Sequence, residues 1–351
     1  MSPSPTRPAE PLRMVDIAQK AGVSRMAVSA VLMGTGNGRV RVSTETAERI
    51  RKIADDLGYR PNRAAQQLAG RGSGIVAVVA NDCRNFLTQR ALAWLHEAAQ
   101  QDGLRVMAQF APEGPVTLEQ LIQDVRAGWV DGIVYLAFEN EQQWPVVAEL
   151  FGGFPQAVVA IGDVGDPRVN SVISDVVPGA RASMAHLKDQ GRSRPVFIAE
   201  EDESLAFRHR REAYRAAAEE LGLDFDDRRI VIETRGWLVS SPEYYERFDR
   251  LARRIVDDLG ADAVLCDTDF TAVALCRAFR RLGLRIAEAV SVIGWGDLQM
   301  AAMFDPPLTT VSLELPTLLR RVVARLRDEL VPGESPRIER VATQLVVRES
   351  S

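Results

Sequence analysis

From residue 74 onward the chain alternates short, continuous apolar runs with longer stretches whose apolar residues recur every three to four positions. The runs at 75–80, 104–110, 132–136, 157–161, 196–199, 230–233, 263–266 and 290–295 are largely apolar, which predicts parallel strands of sheets covered on both sides. Helices are predicted at 88–101, 116–127, 176–190, 208–221, 242–259, 271–281 and 316–330. That succession is the signature of an α/β fold, and its length suggests two sheets.

Residues before 60 follow another pattern. Val15, Ala18 and Ala21 share one face of a short helix that Gly22-Val23 ends. Ser24 caps a second helix, from Arg25 to about Leu32; its Val28, Val31 and Leu32 turn inward, and Arg25, Met26 and Ser29 point outward. A third helix opens near Ser43, has Glu45 at its positive end, and buries Ala47, Ile50, Ile53, Ala54 and Leu57 before Gly58 stops it. This is helix–turn–helix spacing, although a small helical hairpin has a similar pattern. A second helix of this kind offers its first residues to base edges in the major groove, where an arginine can pair with two acceptors of guanine. Arg25 is the leading reader.

Charge sharpens the division. The formal net charge of −5 hides +5 on residues 1–70 and −10 on the remainder. A basic head on an acidic body suggests that the head alone holds a phosphate-bearing partner, unless its arginines merely cluster on a solvated surface. With 351 residues, 46% hydrophobic and 26% charged, the chain suits two or three folded units and excludes a disordered or fibrous protein. The longest apolar run, about 74–80, is far short of the ~20 residues a bilayer needs, and the proline-rich start lacks the apolar core of a signal peptide. A cytoplasmic protein with no membrane partner is expected. Cys83, Cys266 and Cys276 lack Cys-x-x-Cys spacing, so neither a disulfide framework nor a cysteine zinc site is expected; they read as buried small hydrophobes.

The stretch Tyr59-Arg60-Pro61-Asn62-Arg63-Ala64-Ala65-Gln66-Gln67-Leu68-Ala69-Gly70, directly after such a three-helix unit, resembles the hinge of the LacI/GalR (lactose-repressor) family of bacterial transcription regulators. Asp16-Ile17-Ala18, Ala21-Gly22-Val23-Ser24 and Val28-Ser29 extend the resemblance into the head, and the strand–helix succession carries it over nearly the whole chain. The resemblance implies a tail at 1–12 without order, a helix–turn–helix DNA-binding domain at 13–59, a hinge helix at 60–71 and an effector-binding and dimerisation domain at 72–351. That last domain is expected to be a periplasmic-binding-protein-like core of parallel sheets in two subdomains, with crossovers near 163–175, 297–311 and the C-terminus.

In this family the hinge is frayed when free and becomes helical when two protomers meet over the operator centre. Between Pro61 and Gly70 it has about two turns, too short to persist alone in water. The resemblance places Leu68 as a wedge in the minor groove, Ala65 beside it and Asn62 on phosphate, although Leu68 could instead pack under the core. Tyr59, Ser24, Ser29 and Ser43 match backbone-contacting positions. Three features depart from the family pattern. Arg13 replaces a helix-capping threonine, so the first helix is expected to start loosely. Ala30 replaces an arginine that reaches guanine; its methyl could meet a thymine methyl, which implies an uncommon half-site. The connection 34–41 is long and glycine-rich, and Arg39 and Arg41 there either touch phosphate or face solvent.

Open α/β sheets bind ligands beyond the carboxyl ends of their strands, and two subdomains would set those ends across a cleft. Asp82, Arg84, Asn85 and Phe86 follow the first predicted strand and Asp163 the fourth. The resemblance implies that Arg208 grips effector oxygens, Trp237 lies against a sugar face and Asp269 binds the effector. The alternatives are a structural Arg208–Asp269 ion pair and a core role for Trp237. Thr268 replaces a common asparagine and Gly296 a common aspartate, which leaves a sugar, a sugar acid or a nucleoside open as effector.

An enzyme is not expected. His96, His186 and His209 are far apart in sequence, and no phosphate loop, nucleophile elbow or His-Glu-x-x-His motif occurs. Gly294-Trp295-Gly296-Asp297 lacks the third glycine of a dinucleotide loop and reads as a close turn at the cleft. No cofactor, metal ligand set or catalytic residue is expected. The expected partners are a double-stranded DNA operator, a small-molecule effector of carbohydrate type and a second copy of the chain. The absence of a leucine heptad after Val346 favours a dimer over a tetramer. A transporter's solute-binding protein and a sugar-processing enzyme are the rival classes.

Overall fold

The structure, a computed structural model, describes residues 12–33, 42–59, 72–80, 86–110, 116–137, 144–200, 205–233, 242–327 and 338–351. The chain divides into two units, Met1–Ser73 and Gly74–Ser351.

In the first unit, helices α1 (Met14–Ala21), α2 (Arg25–Met33) and α3 (Thr44–Asp56) enclose a small core of Ile17, Ala18, Ala21, Val28, Ile50, Ala54 and Tyr59. Gly22 takes a left-handed φ of 64° and ends α1, its N–H turned back to the carbonyls of Ala18 and Gln19. Two expectations need correction. Val15 is 52% exposed and Ile17 is buried, because the face that meets the other helices runs through 17, 18 and 21. Nor does α1 start loosely: the Asp16 carboxylate accepts from the Arg13 backbone N–H at 2.8 Å, the reach-back half of a capping box.

The second unit runs β1 (Ile75–Ala80), α4 (Phe86–Gln101), β2 (Arg105–Phe110), α5 (Val116–Arg126), β3 (Gly132–Leu136), α6 (Trp144–Phe151), β4 (Ala157–Ile161), β5 (Ser171–Asp175), α7 (Val176–Asp189), β6 (Pro195–Glu200) and α8 (Leu205–Leu221). It continues through β7 (Ile230–Glu233), α9 (Pro242–Arg253), β8 (Ala263–Cys266), α10 (Asp269–Arg281), β9 (Ser291–Trp295), α11 (Gln299–Met303), β10 (Thr309–Ser312), α12 (Leu315–Arg327), β11 (Ile338–Ala342) and β12 (Gln344–Val346). Among the described residues two six-stranded sheets form, in the orders β11-β5-β4-β3-β1-β2 and β12-β10-β9-β8-β6-β7. Neighbours are parallel except β10 and β12. Each sheet with its helices is a subdomain. One apolar cluster, including Leu95 and Leu318 from the first and Phe197 and Leu265 from the second, is continuous through both. No helix of the described residues is long and apolar enough to cross a membrane.

The chain passes between the sheets at Asp175–Val176, at 313–314 and at Thr343. The first two positions lie at, or just past, the C-terminal ends of the expected stretches 163–175 and 297–311. Residues 171–175 form a strand of the first sheet, and 297–311 contains α11 and most of β10 of the second, so the passages follow these elements. The passages at 175 and 343 are tied together: the Thr343 hydroxyl donates to the Asp175 carbonyl at 2.7 Å and accepts from the Gly179 N–H at 3.0 Å. The Asp175 carboxylate caps α7 by accepting from Val177 N–H at 3.1 Å. A Cβ on Gly179 would stand 2.5 Å from both the Thr343 hydroxyl and a Val311 methyl, so only glycine fits this close approach.

Candidate functional site

Two surfaces carry the candidate chemistry, one in each unit. In the head, the Ser24 hydroxyl accepts from the Ala27 N–H at 3.2 Å and caps α2, so the helix begins with its first residues in solvent. Ser24, Arg25 and Met26 are exposed there, Met26 to 66%; Ser29 and Ala30, one turn on, are half-buried. Val28 between them is fully buried and anchors the helix in the head's core. Ser43 is exposed and caps α3, accepting from Thr46 N–H at 3.2 Å. Tyr59 is only 7% exposed; burial pushes its phenol above the usual range, and its N–H donates to the Ala54 carbonyl at 2.8 Å. Its first task is therefore to close the core of the head. Asn62, Ala65 and Leu68 lie outside the described residues, as do Arg39 and Arg41.

In the core, a cleft of about 580 Å³ opens where strands of both sheets end. Ala137, Ile161, Gly162, Asp163 and Asp175 come from the first sheet's strand ends. Asp267, Trp295, Gly296 and Leu313 come from the second, and α8 supplies His209, Arg210 and Glu212. Arg210 is fixed twice. It donates to the Asp267 carbonyl at 2.7 Å, and its guanidinium carbon lies 5.2 Å from the Trp295 ring centroid. Behind Trp295 stand Tyr214, edge-on at 6.3 Å, and Phe197, 5.1 Å from Tyr214, which lock the indole's position. The Asp267 carboxylate accepts from the Thr271 hydroxyl at 2.7 Å. Asp163 accepts from Gly165 N–H at 2.8 Å and faces Arg340 at 3.8 Å. Arginine donors and carboxylate acceptors thus alternate around an aromatic wall. This arrangement suits a polyhydroxylated molecule, whose hydroxyls both donate and accept.

The structure brings Asp163 to this cleft and moves other expected contacts away from it. Asp269 has no exposed surface: its carboxylate accepts from the Thr310 hydroxyl at 2.5 Å and the Leu298 N–H at 2.6 Å. Burial raises its acid to about 6. It is a structural acceptor beneath the loop after β9, and Asp267, two residues earlier, faces the cleft instead. Thr268 caps α10, accepting from Thr271 N–H at 3.1 Å. Arg208 is half-buried and does not line the cleft; no ion pair joins it to a fully enclosed Asp269, whose partners are Thr310 and Leu298. Phe86 is 57% exposed, meets Phe270 at 5.1 Å and lines a second depression. Asp82, Arg84, Asn85 and Trp237 lie outside the described residues. The sequence reading missed Arg210, Asp267 and Leu313, and had Trp295 only as part of a close turn at the cleft. Arg210 had a signal: it shares the stripe of Phe207, Tyr214 and Ala217, and an arginine on an apolar stripe faces something other than open water.

Comparison with known proteins matches a domain in each unit. The profile of the bacterial regulatory proteins of the lacI family matches residues 13–62, and that of a periplasmic binding protein-like domain matches 184–351. The HTH-type transcriptional regulator CelR of Thermobifida fusca is 29% identical over 350 residues, which cover 95% of this chain and 96% of that protein. Among solved structures, a lac repressor dimer bound to operator and an anti-inducer superposes with a TM-score of 0.74 at 24% identity, over 97% of this chain and 99% of that one. A CelR–cellobiose complex superposes with a TM-score of 0.66 at 24% identity, over 97% of this chain and all of that one. A helix–turn–helix head followed by a two-lobed α/β core defines a DNA-binding transcriptional regulator rather than an enzyme. Residues 13–62 thus carry a helix–turn–helix domain of the lacI family of bacterial regulatory proteins, and 184–351 a periplasmic binding protein-like domain. Among the described residues no cluster of histidine, cysteine and carboxylate side chains could hold a metal ion.

Proposed function

We propose that the protein is a homodimeric repressor that binds a palindromic operator and answers to a neutral sugar in the cleft of its core. Domain limits follow the sequence reading: a head at 13–59, a hinge at 60–71 and an effector-binding core from 72. The observation that carries this reading is the start of α2, where a Ser24 cap leaves Arg25 and Met26 in solvent, within the first seventy residues, whose net charge is +5. Arg25 and Met26 read base edges, Ala30 meets a thymine methyl, and Ser24, Ser29 and Ser43 fix orientation on phosphate. Tyr59 supports them from the core of the head. Asn62, Ala65 and Leu68 of two paired hinges engage the operator centre.

In the cleft, Arg210 and Asp267 hold ligand hydroxyls from one side and Asp163 from the other, against Trp295 and Leu313. A neutral ligand is favoured over an anion because Asp163, Asp175, Asp267, Glu212 and Glu220 outnumber Arg181, Arg210 and Arg340 along the lining. Cellobiose is the first sugar to test, since a CelR–cellobiose complex shares this fold. The test is a gel-shift with DNA from upstream of the gene and from the genes beside it, with and without cellobiose and other small saccharides. Tight retardation of one palindromic fragment that a saccharide changes is the expected result. Retention of every fragment alike, or indifference to all saccharides, rejects the operator or the effector half of the reading respectively.

A further inference from the structure

The cleft is bounded on one side by the chain crossings, and on another the two subdomains meet at Arg90. Arg90, on α4 of the first subdomain, donates to the carbonyls of Gly296, at 3.4 Å, and of Asp297, on the loop after β9 of the second. Its guanidinium also lies 4.0 Å from the Asp297 carboxylate, which pairs in turn with Arg348 at 2.7 Å. Leu87 and Gly296 line the cleft, whereas Arg90 and Asp297 line the second depression. The Arg90 contact is therefore part of the wall between the two spaces. Beside it, the Phe86–Phe270 pair spans the same boundary between subdomains.

The loop that Arg90 grips is fixed within its own subdomain. Asp297 has a left-handed φ of 47° and Gly296 a φ of 120°. Asp297, which has a Cβ, keeps such an angle only where its surroundings enforce it. Asp269 holds the Leu298 N–H from beneath, and the Asp297 N–H donates to the Thr310 hydroxyl at 3.3 Å. Segment 295–298 thus moves with the second sheet, and charge-assisted hydrogen bonds from Arg90 tie it to the first.

We propose that Arg90 is a latch that keeps the subdomains closed over the cleft. Segment 295–298 is then the part through which a molecule in the cleft alters the first subdomain, because one of its faces is cleft wall and the other is latch. That second statement rests on the effector reading above; the latch itself does not.

The test is made on the full chain without any ligand. Spin labels are placed at Gln123→Cys on α5 and Arg254→Cys just after α9, both exposed sites, in a Cys83→Ser background; Cys266 and Cys276 are buried and take no label. Electron–electron distance measurement is expected to give one narrow distribution for the parent. Arg90→Met is expected to add a second, longer population, and Arg90→Lys, which keeps the charge and a donor, to remove most of it. All three are expected to melt within a few degrees of one another, which separates opening from unfolding. Superimposable distributions for the parent and Arg90→Met overturn the latch. Should Arg90→Met melt early, Arg90→Gln, which stays polar but is uncharged and too short to keep both carbonyl contacts, is expected to show the longer population, and its absence overturns the latch equally. A protein indifferent to every sugar would refute the effector reading and leave this measurement intact.

Discussion

A carboxylate with no exposed surface is costly to ionise, and Asp269 is in that position. Its acid is raised from 3.8 to about 6 because burial outweighs the hydrogen bonds from Thr310 and Leu298. The folded state therefore favours the protonated form. The resulting stability is fully present below the unfolded value of 3.8 and is lost as pH rises through about 6. At about 1.4 kcal/mol per unit the whole swing is on the order of 3 kcal/mol. Urea melts at about pH 5, 6 and 7.5 are expected to show the parent losing stability relative to Asp269→Asn, whose amide keeps an acceptor but does not titrate. Parallel pH curves for the two proteins would remove this account. On the head, Arg25→Ala is expected to relax discrimination at one base pair of each half-site by roughly 1–3 kcal/mol. The check is a competition gel-shift over all four bases at each half-site position. Unchanged preference at every position would refute Arg25 as a reader.

Among elements, α7 is tightly constrained, because its first turn sits where the chain crosses between sheets. Gly179→Ala puts a methyl 2.5 Å from two atoms of neighbouring elements. It is expected to cost about 1–3 kcal/mol, read as a lowered midpoint in urea, since neither Thr343 nor Val311 has room to withdraw. An unchanged midpoint would show that the crossing yields. The strands in the middle of both sheets were legible from sequence because burial on both faces demands unbroken apolar runs, as in Ile75–Ala80 and Ala263–Cys266. The strands at or beside the crossings were not. Ser171–Asp175 has polar ends, Thr309–Ser312 is three-quarters hydroxyl residues, and Ile338–Ala342 carries the adjacent charges Glu339 and Arg340 at a sheet edge. The short helices α6 and α11 were missed because five to eight residues carry too little periodicity. The cleft's location followed from where strands end, but apart from Asp163 and the turn at Trp295–Gly296 its lining did not. Whether Asp267 or Asp269 faces the opening depends on how α10 begins, and whether Arg208 or Arg210 does depends on the rotation of α8.

For the whole molecule, the division of labour between units is the property to test. Leu68→Ala is expected to weaken operator binding while leaving the core's melting temperature and sugar binding unchanged, measured by gel-shift, calorimetry and circular dichroism. A chain starting at residue 71 is expected to bind sugar and leave DNA untouched; retention of DNA by that fragment would place the reading surface in the wrong unit. The passages at Asp175, at 313–314 and at Thr343 give the core three backbone links between its lobes. A single link permits swivelling in any direction, but three linked together resist twist and sideways slip and leave bending as the easy motion. The core therefore has, in effect, one dial. Whatever turns it, whether a bound molecule, a substitution at the latch or a strained glycine, shifts ligand affinity and signal output jointly. Variants that ignore ligand and variants that act as though ligand were always present would then mark opposite ends of the same setting.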